Sequence, residues 1–215
     1  MKKYFFLLII FLFFSCLEIE EYIYLQEDDL EICLQYGVQK PLLEMLSRFS
    51  GTSIDYDDLQ IKAEEYTGFL SGLNSKEVYC KIEKINSSFT VGSRIRIKGR
   101  YSYFENNTSG TSEFFPQYNK NKISIILLLF EENYDSQVAP FIYGSKFRIV
   151  IEKTKTIKEI KNIKLIELTS DKERLESKDI SDDFLIEYRG FYIIELPMFF
   201  LFRDRKNKLV LDLYL

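Results

Sequence analysis

The residues Arg94-Ile-Arg-Ile-Lys-Gly-Arg-Tyr-Ser-Tyr103 give the clearest indication of the fold. Apolar, aromatic or glycine residues at the odd positions of this stretch alternate with polar residues at the even ones. Because successive side chains on a β-strand point to opposite faces of the sheet, this period of two predicts a strand with one buried and one exposed face.

The same alternation recurs on both sides of this strand and predicts a protein made mainly of β-strands. Residues 20–26 and 30–36 are predicted to form a hairpin around the turn Glu27-Asp28-Asp29. Further strands are predicted at residues 78–82, 123–130, 147–151, 163–168, 184–196 and 209–215. The run at 123–130 is almost entirely apolar, which is typical of a central strand covered on both faces.

Two helices are predicted near the amino end of the mature chain. Pro41 suits a helix start, apolar residues recur at helical spacing from Leu42 to Phe49, and Gly51 offers a stop. A second helix is predicted over residues 56–66, with Asp55 as its N-cap. The predicted fold class is therefore α+β, a predominantly antiparallel β-sheet with these two helices, and residues 16–215 are expected to form one domain.

Residues 1–15 are predicted to be a cleaved signal peptide. Lys2 and Lys3 precede eleven uncharged apolar or aromatic residues, 4–14, which is the usual length of the hydrophobic region of a signal. A helix that crosses a bilayer needs about 20 such residues. Acidic residues begin at Glu18, so this segment is too short to be a permanent helical anchor.

The segment ends in Phe13-Phe14-Ser15-Cys16, which resembles the lipobox of bacterial lipoproteins, in which a large apolar residue and small residues precede an acceptor cysteine. The resemblance implies a diacylglyceryl thioether and an acylated amine on Cys16. It further implies a domain anchored by lipid to a bacterial membrane, at the periplasmic face or the cell surface. Three residues, 17–19, precede the first predicted strand and reach about 10 Å when extended. The alternative is an uncleaved or irregular signal that ends near a cysteine.

The composition excludes several classes of function. Of 29 basic and 33 acidic residues, Lys2 and Lys3 are the only charged residues in 1–15, so their removal changes the net charge from −4 to −6. An acidic chain has no general attraction to nucleic acid. The absence of histidine excludes Ser-His-Asp catalysis and H-E-x-x-H zinc sites, and no cofactor is expected.

The basic row Arg94, Arg96, Lys98 and Arg100 is the main candidate for a binding surface. These side chains share one face of the predicted strand over about 20 Å. Four like charges in line repel one another, so they require either acids on neighbouring strands, such as Glu77 and Glu83, or an anionic partner. Phospholipid headgroups or an acidic polymer would be suitable partners. Cross-strand ion pairs are the preferred interpretation.

Two cysteines, Cys33 and Cys80, remain if Cys16 is acylated. A disulfide is one interpretation, because it would persist in an exported protein. Two separately buried thiols are the other, and they are favoured because Cys80 lies on an apolar strand face whereas Cys33 lies on a polar one.

Two further segments bear on function. Residues 105–121 read as a long polar loop whose aromatic side chains, Phe114, Phe115 and Tyr118, either pack on the sheet or bind a partner. Residues 191–202 are the most hydrophobic stretch of the mature chain, and we expect a core strand that ends at Pro197, with a lipid-facing edge as the alternative.

These observations predict a non-enzymatic binding or interaction module with an unknown protein or lipid partner. A carrier of an apolar ligand is the first alternative, on the aromatic content of 16%. An enzyme that uses carboxylates is the second, on the pairs Asp28-Asp29, Asp57-Asp58 and Asp182-Asp183. Turns and helix starts favour Asp for local reasons, so structural roles are preferred for these pairs.

Overall fold

The structure is a computed structural model that describes residues 17–51, 53, 55–56, 78–107, 116–127, 143–169, 174–201 and 208–215. Its strands are β1 (Leu17–Gln26), β2 (Asp29–Gln39), β3 (Tyr79–Asn86), β4 (Thr90–Arg100), β5 (Gln117–Asn119), β6 (Lys122–Leu127), β7 (Lys146–Glu152), β8 (Asn162–Leu168), β9 (Arg174–Asp179), β10 (Leu185–Tyr188), β11 (Phe191–Pro197) and β12 (Lys208–Tyr214). Its helices are α1 (Lys40–Ser50), α2 (Tyr101–Asn107), α3 (Ser181–Phe184) and a 3-10 helix (Met198–Leu201).

The strands form two sheets. A seven-stranded sheet has the order β10-β11-β7-β1-β2-β4-β3, and a five-stranded sheet has the order β5-β6-β12-β8-β9. Most neighbouring strands are antiparallel, but β1 and β7 are parallel, so the larger sheet is mixed. The prediction of a strand-rich, mostly antiparallel fold is confirmed. The β1–β7 pairing was not predicted, because strands so far apart in sequence leave no local sign of their pairing.

One apolar core joins the two sheets. Inward-facing side chains of both sheets belong to a single cluster of buried residues, among them Ile23, Ile97, Ile149 and Ile194 from the larger sheet and Ile125, Ile163 and Leu211 from the smaller one. Two sheets that bury their inner faces against each other are the arrangement of a β-sandwich. Each fully buried Ile or Leu contributes about 1.5–3 kcal/mol relative to an exposed one.

The β1–β2 hairpin also determines where β4 ends. Glu27, at φ 55°, and Asp28 form its turn. Asp28 O accepts from Tyr101 N at 2.6 Å, and its carboxylate accepts from Ser102 N at 2.7 Å and from Ser102 Oγ at 2.8 Å. These bonds satisfy donors at the start of α2. The strand predicted through Tyr103 therefore ends at Arg100, and that part of the prediction was wrong.

Helix α1 begins and ends as its sequence indicates. Pro41 lies in the first turn, and Gly51, at φ 70°, donates its N–H to Ser47 O at 2.9 Å. Leu42 and Leu43 are buried. Residues 57–66 of the second predicted helix lie outside the described residues, so the placement of two helices near the amino end stays a prediction. No helix within the described ranges is long and apolar enough to cross a membrane.

The segment predicted as a loop over residues 105–121 contains the end of α2 and strand β5. Tyr118 packs against Tyr101, with ring centroids 6.0 Å apart, and its backbone N–H donates to Tyr101 Oη at 2.7 Å. Tyr118 therefore belongs to the smaller sheet and packs against the start of α2 and the core. Phe114 and Phe115 lie outside the described residues. In the hydrophobic segment, β11 is a core strand that ends at Pro197.

Gly37 of β2 faces Gly92 of β4. A Cβ on Gly92 would overlap the backbone oxygen of Tyr36 and lie 2.9 Å from Gly37 Cα. A Cβ on Gly37 would instead meet only a side-chain methyl, Thr90 Cγ2, at 2.6 Å. Backbone atoms of a paired strand cannot move aside without breaking the ladder, whereas a side chain can rotate.

We therefore expect Gly92→Ala to lower the free energy of unfolding by about 3 kcal/mol or more, and Gly37→Ala to lower it by about 1 kcal/mol. Urea unfolding of the purified variants measures both values. Equal losses at the two positions would contradict the close approach of β2 and β4.

Candidate interaction surface

The outer face of the larger sheet, which points away from the smaller sheet, carries charged side chains in cross-strand rows. Arg148 on β7 lies between Glu20 of β1 and Glu195 of β11, at 3.3 Å and 3.0 Å. Lys146 also pairs with Glu195. Burial alone would raise the pKa of Glu195, but hydrogen bonds from Lys146 and Arg148 outweigh it and lower that pKa. The network joins β7 to both of its neighbours.

The four members of the basic row all lie on this outer face. Arg94 donates to Gln35 Oε1 at 2.9 Å and 2.6 Å and lies 3.8 Å from Glu83. Arg96 and Lys98 lie 3.6 Å and 3.7 Å from Glu31. Glu83 is thus one of the acids expected beside the row, and Glu77 lies outside the described residues.

Glu31 was missed because its contact depends on the pairing of β2 with β4. Its position on the polar face of β2 was the available signal, but sequence alone does not specify which strand lies beside β4. Sequence reasoning placed acids on β3 instead, because β3 is the neighbour of β4 in the chain.

The ion pairs do not neutralise the row. Lys81 contacts Glu83 at 2.6 Å, and its hydrogen bond lowers the pKa of that carboxyl. Among the described side chains, two carboxylates, Glu31 and Glu83, therefore face four cations, Lys81, Arg94, Arg96 and Lys98, which leaves a local surplus of two positive charges. Arg100 is exposed and faces Asp29 across the ladder, and it forms no ion pair with any described residue.

Cys33 and Cys80 are free thiols. Cys33 faces Arg96 on the outer face, whereas Cys80 packs against the core. Side chains on opposite faces of a sheet, with β4 between their strands, cannot meet, and the disulfide considered from the sequence is not formed. Burial raises the pKa of both thiols, although Arg94 and Arg96 act against this at Cys33.

Aromatic and apolar side chains also lie on the outer face. Tyr22 donates its hydroxyl to Glu152, and burial together with this hydrogen bond raises the pKa of Tyr22. Ile186 and Tyr188 on the edge strand β10 are 51% and 58% exposed. These two side chains lie far from the basic row, because β11, β7, β1 and β2 separate β10 from β4.

The amino end of β1 is tightly held. Leu17 pairs with Val38, and its N–H donates to Ser145 Oγ at 3.2 Å. Ser145 O accepts from Met198 N at 2.9 Å, so one buried serine joins β1 to the end of β11. Cys16, the predicted site of lipid attachment, lies outside the described residues and is the residue that precedes Leu17.

Glu21 is the buried acid that stands out on the inner face. It is 7% exposed between Leu34 and Ile149, and it forms no hydrogen bond or ion pair with any described residue. Burial raises its pKa to about 8. Asp212 is equally buried but accepts from Lys122 Nζ at 2.9 Å and Ser124 Oγ at 2.6 Å. Burying the Glu21 carboxyl therefore costs free energy that the hydrogen bonds of Asp212 offset at the other site.

In the described part of the chain, the Asp pairs lie at a turn and at a helix start. Asp28 holds the start of α2, and Asp182 and Asp183 are exposed in the first turn of α3. The pair Asp57-Asp58 lies outside the described residues. In the part of the chain that the structure describes, no three His, Cys, Asp or Glu side chains are grouped as a metal site requires.

Comparison with protein-family models, curated proteins and solved structures found no match to this chain.

We expect Glu21 to make stability fall as the pH rises from about 4.5 to 8. Below pH 4.5 the Glu21 carboxyl is protonated in both the folded and the unfolded chain. Above pH 4.5 it ionises in the unfolded chain first, because folding raises its pKa from 4.5 to about 8. The penalty reaches about 3 kcal/mol at pH 7.

Glu21→Gln should remove this decline, so the stability difference between variant and parent should grow from pH 4.5 to pH 7. Urea unfolding across that range measures it. Glu18→Gln, at an exposed position on the same strand, is the matched control and should follow the parent. Parallel curves for Glu21→Gln and the parent would contradict the raised pKa.

Glu31→Gln should lower the free energy of unfolding by about 1 kcal/mol at low salt, because it leaves Arg96 and Lys98 without their acid. High salt should reduce the loss, since screening weakens both the pairs and the repulsion along the row. Glu176→Gln on β9, which is exposed and has no ion pair with a described residue, should change stability little. A loss that does not depend on salt would argue against an electrostatic role.

Proposed function

We propose that this protein is a lipid-anchored cell-envelope protein, held at a bacterial membrane through Cys16, whose β-sandwich acts as a non-enzymatic binding module. The observation that carries the proposal is that β1 begins at Leu17, the residue after the acceptor cysteine. An anchor at this position would leave essentially no tether, because consecutive Cα atoms are about 3.8 Å apart.

Strand β1 is suited to resist a pulling force applied at its first residue. Strand β1 is hydrogen-bonded to β2 on one side and to β7 on the other, with pairs beginning at Leu17 and Glu18. A lipid on the preceding residue would therefore be joined to the middle of the larger sheet. Pulling on it would strain two ladders of hydrogen bonds together, in contrast to a tether joined to a loose terminus.

The outer face of the larger sheet is the proposed partner-binding surface. Its support is the surplus of two positive charges among the described side chains around the basic row. The inner faces of both sheets are occupied by each other's apolar side chains, which favours a surface partner over a carrier that holds a ligand between the sheets. The expected partner is anionic.

The lipid anchor is tested with Cys16→Ser in the full chain expressed in a bacterium that acylates lipoproteins. Mass spectrometry should find diacylglycerol and an amide-linked acyl chain on residue 16 of the parent, and the parent should partition into detergent. Cys16→Ser should lack the mass of these acyl groups and should no longer partition into detergent. Cys33→Ser is the matched control, since it removes a half-buried thiol on the sheet face and should behave as the parent.

A parent chain without acyl mass, or a Cys16→Ser variant that partitions as the parent does, would contradict the anchor.

A further inference from the structure

Of the five exposed aromatic side chains among the described residues, three lie at one end of the larger sheet. Phe89 is 72% exposed, Tyr143 is 61% exposed and Phe199 is 40% exposed. We call the surface formed by these three residues the aromatic end. Exposed aromatic groups are costly in water, so their grouping at one place requires an explanation.

Strand register places the aromatic end beside the start of β1. Gln39 at the end of β2 pairs with Thr90, so the β3–β4 turn that carries Phe89 lies at the same end of the sheet as Leu17. On the other side of β1, Lys146 pairs with both Glu18 and Pro197, so Tyr143 and Phe199 flank the same end. Leu17, the residue after Cys16, therefore lies between the strands that lead to Phe89 on one side and to Tyr143 and Phe199 on the other.

Local contacts present these rings outward. Ser87 Oγ accepts from the N–H groups of Phe89 and Thr90, at 3.2 Å and 2.9 Å, and so shapes the tight turn that exposes Phe89. Phe89 O accepts from Lys40 N at 2.8 Å, which ties the turn to α1.

The rings on the other side form a cluster. Phe199 stacks on Phe200 with ring centroids 4.6 Å apart and lies 5.9 Å from Tyr143. Phe200 packs in turn against Phe184 at 5.7 Å. Phe199 is thus supported from below by partly buried rings while its own ring stays exposed, an arrangement that can enter an apolar medium without unfolding the segment that carries it.

We propose that the aromatic end docks on the bilayer to which Cys16 is anchored, with Phe89, Tyr143 and Phe199 inserted at the boundary between headgroups and acyl chains. This inference rests on the proposed lipid anchor and adds the orientation of the domain. Aromatic side chains favour that boundary, and apolar side chains buried there add to the hold of an acyl anchor. Lys40, which lies beside the Phe89 turn, places a cation at headgroup level.

This orientation also separates the two binding surfaces. Strand β4 starts at the aromatic end, so Arg94 lies about 13 Å and Arg100 about 33 Å along the strand from Thr90. The basic row would therefore run away from the anchoring bilayer. An anionic partner of that row would then be something other than the headgroups of the same membrane.

The absence of tryptophan from the sequence makes a direct test possible, because each aromatic→Trp variant has a single indole fluorophore. Phe89→Trp, Tyr143→Trp and Phe199→Trp keep an aromatic ring at exposed positions. Tyr188→Trp is the matched control, since Tyr188 is 58% exposed and lies in the β10–β11 hairpin at the opposite end of the sheet. The full chains are purified in detergent and reconstituted into vesicles of phosphatidylcholine and phosphatidylglycerol, with or without brominated acyl chains.

Brominated lipid should quench the emission of the three variants at the aromatic end several-fold more than that of Tyr188→Trp. Acylated protein in which all four variants are quenched equally, or in which Tyr188→Trp is quenched most, would overturn the docking surface and leave the anchor intact. If the protein carries no acyl chain but the variants are quenched in the expected order, the proposed anchor is wrong and the docking surface stands. Unacylated protein without any quenching would overturn both.

Discussion

The position of β1 between β2 and β7 is the constraint on which the rest of the structure depends. β1 pairs antiparallel with β2 and parallel with β7, so both halves of the larger sheet take their register from it. That register buries Ile23 and Leu25 completely on the inner face and brings Glu20 to Arg148 on the outer face. It also places the residue after Cys16 at the end of the sheet where β7 begins and β11 ends.

The alternation of side chains within β1 places one acidic residue in the apolar core. Every second residue from Leu17 to Leu25 faces inward, and the middle one of these five is Glu21. A carboxyl in that place stays protonated near neutral pH or destabilises the fold, because its apolar neighbours cannot replace water. The ion pairs on the outer face are more exposed and individually weaker, but together they link β11, β7 and β1 into one charged network.

The proposed activities use different parts of the same sheet. The end of the sheet beside β1 carries exposed aromatic rings and would contact lipid, whereas the outer face carries the basic row and exposed apolar side chains on β10 and would contact a partner. Because strands run from the first surface along the second, a rigid sheet would hold the partner at a set distance from the membrane. The proposed anchoring through a central strand would make that geometry insensitive to loop motion.

The sequence by itself determined most of the longer strands, the β1–β2 hairpin, the limits of α1 and the faces on which Arg94, Cys33 and Cys80 lie, because these depend on the period of a few neighbouring residues. The short strands β5 and β9 were not predicted. Its signal pattern predicts the anchor at Cys16, which stays a prediction. Only the tertiary structure decided that Glu31 faces the basic row, that Tyr101 starts a helix held by Asp28, and that Phe89, Tyr143 and Phe199 share one end of the sheet. Each of these depends on which distant strands pair, and strand pairing is set by packing of the whole core.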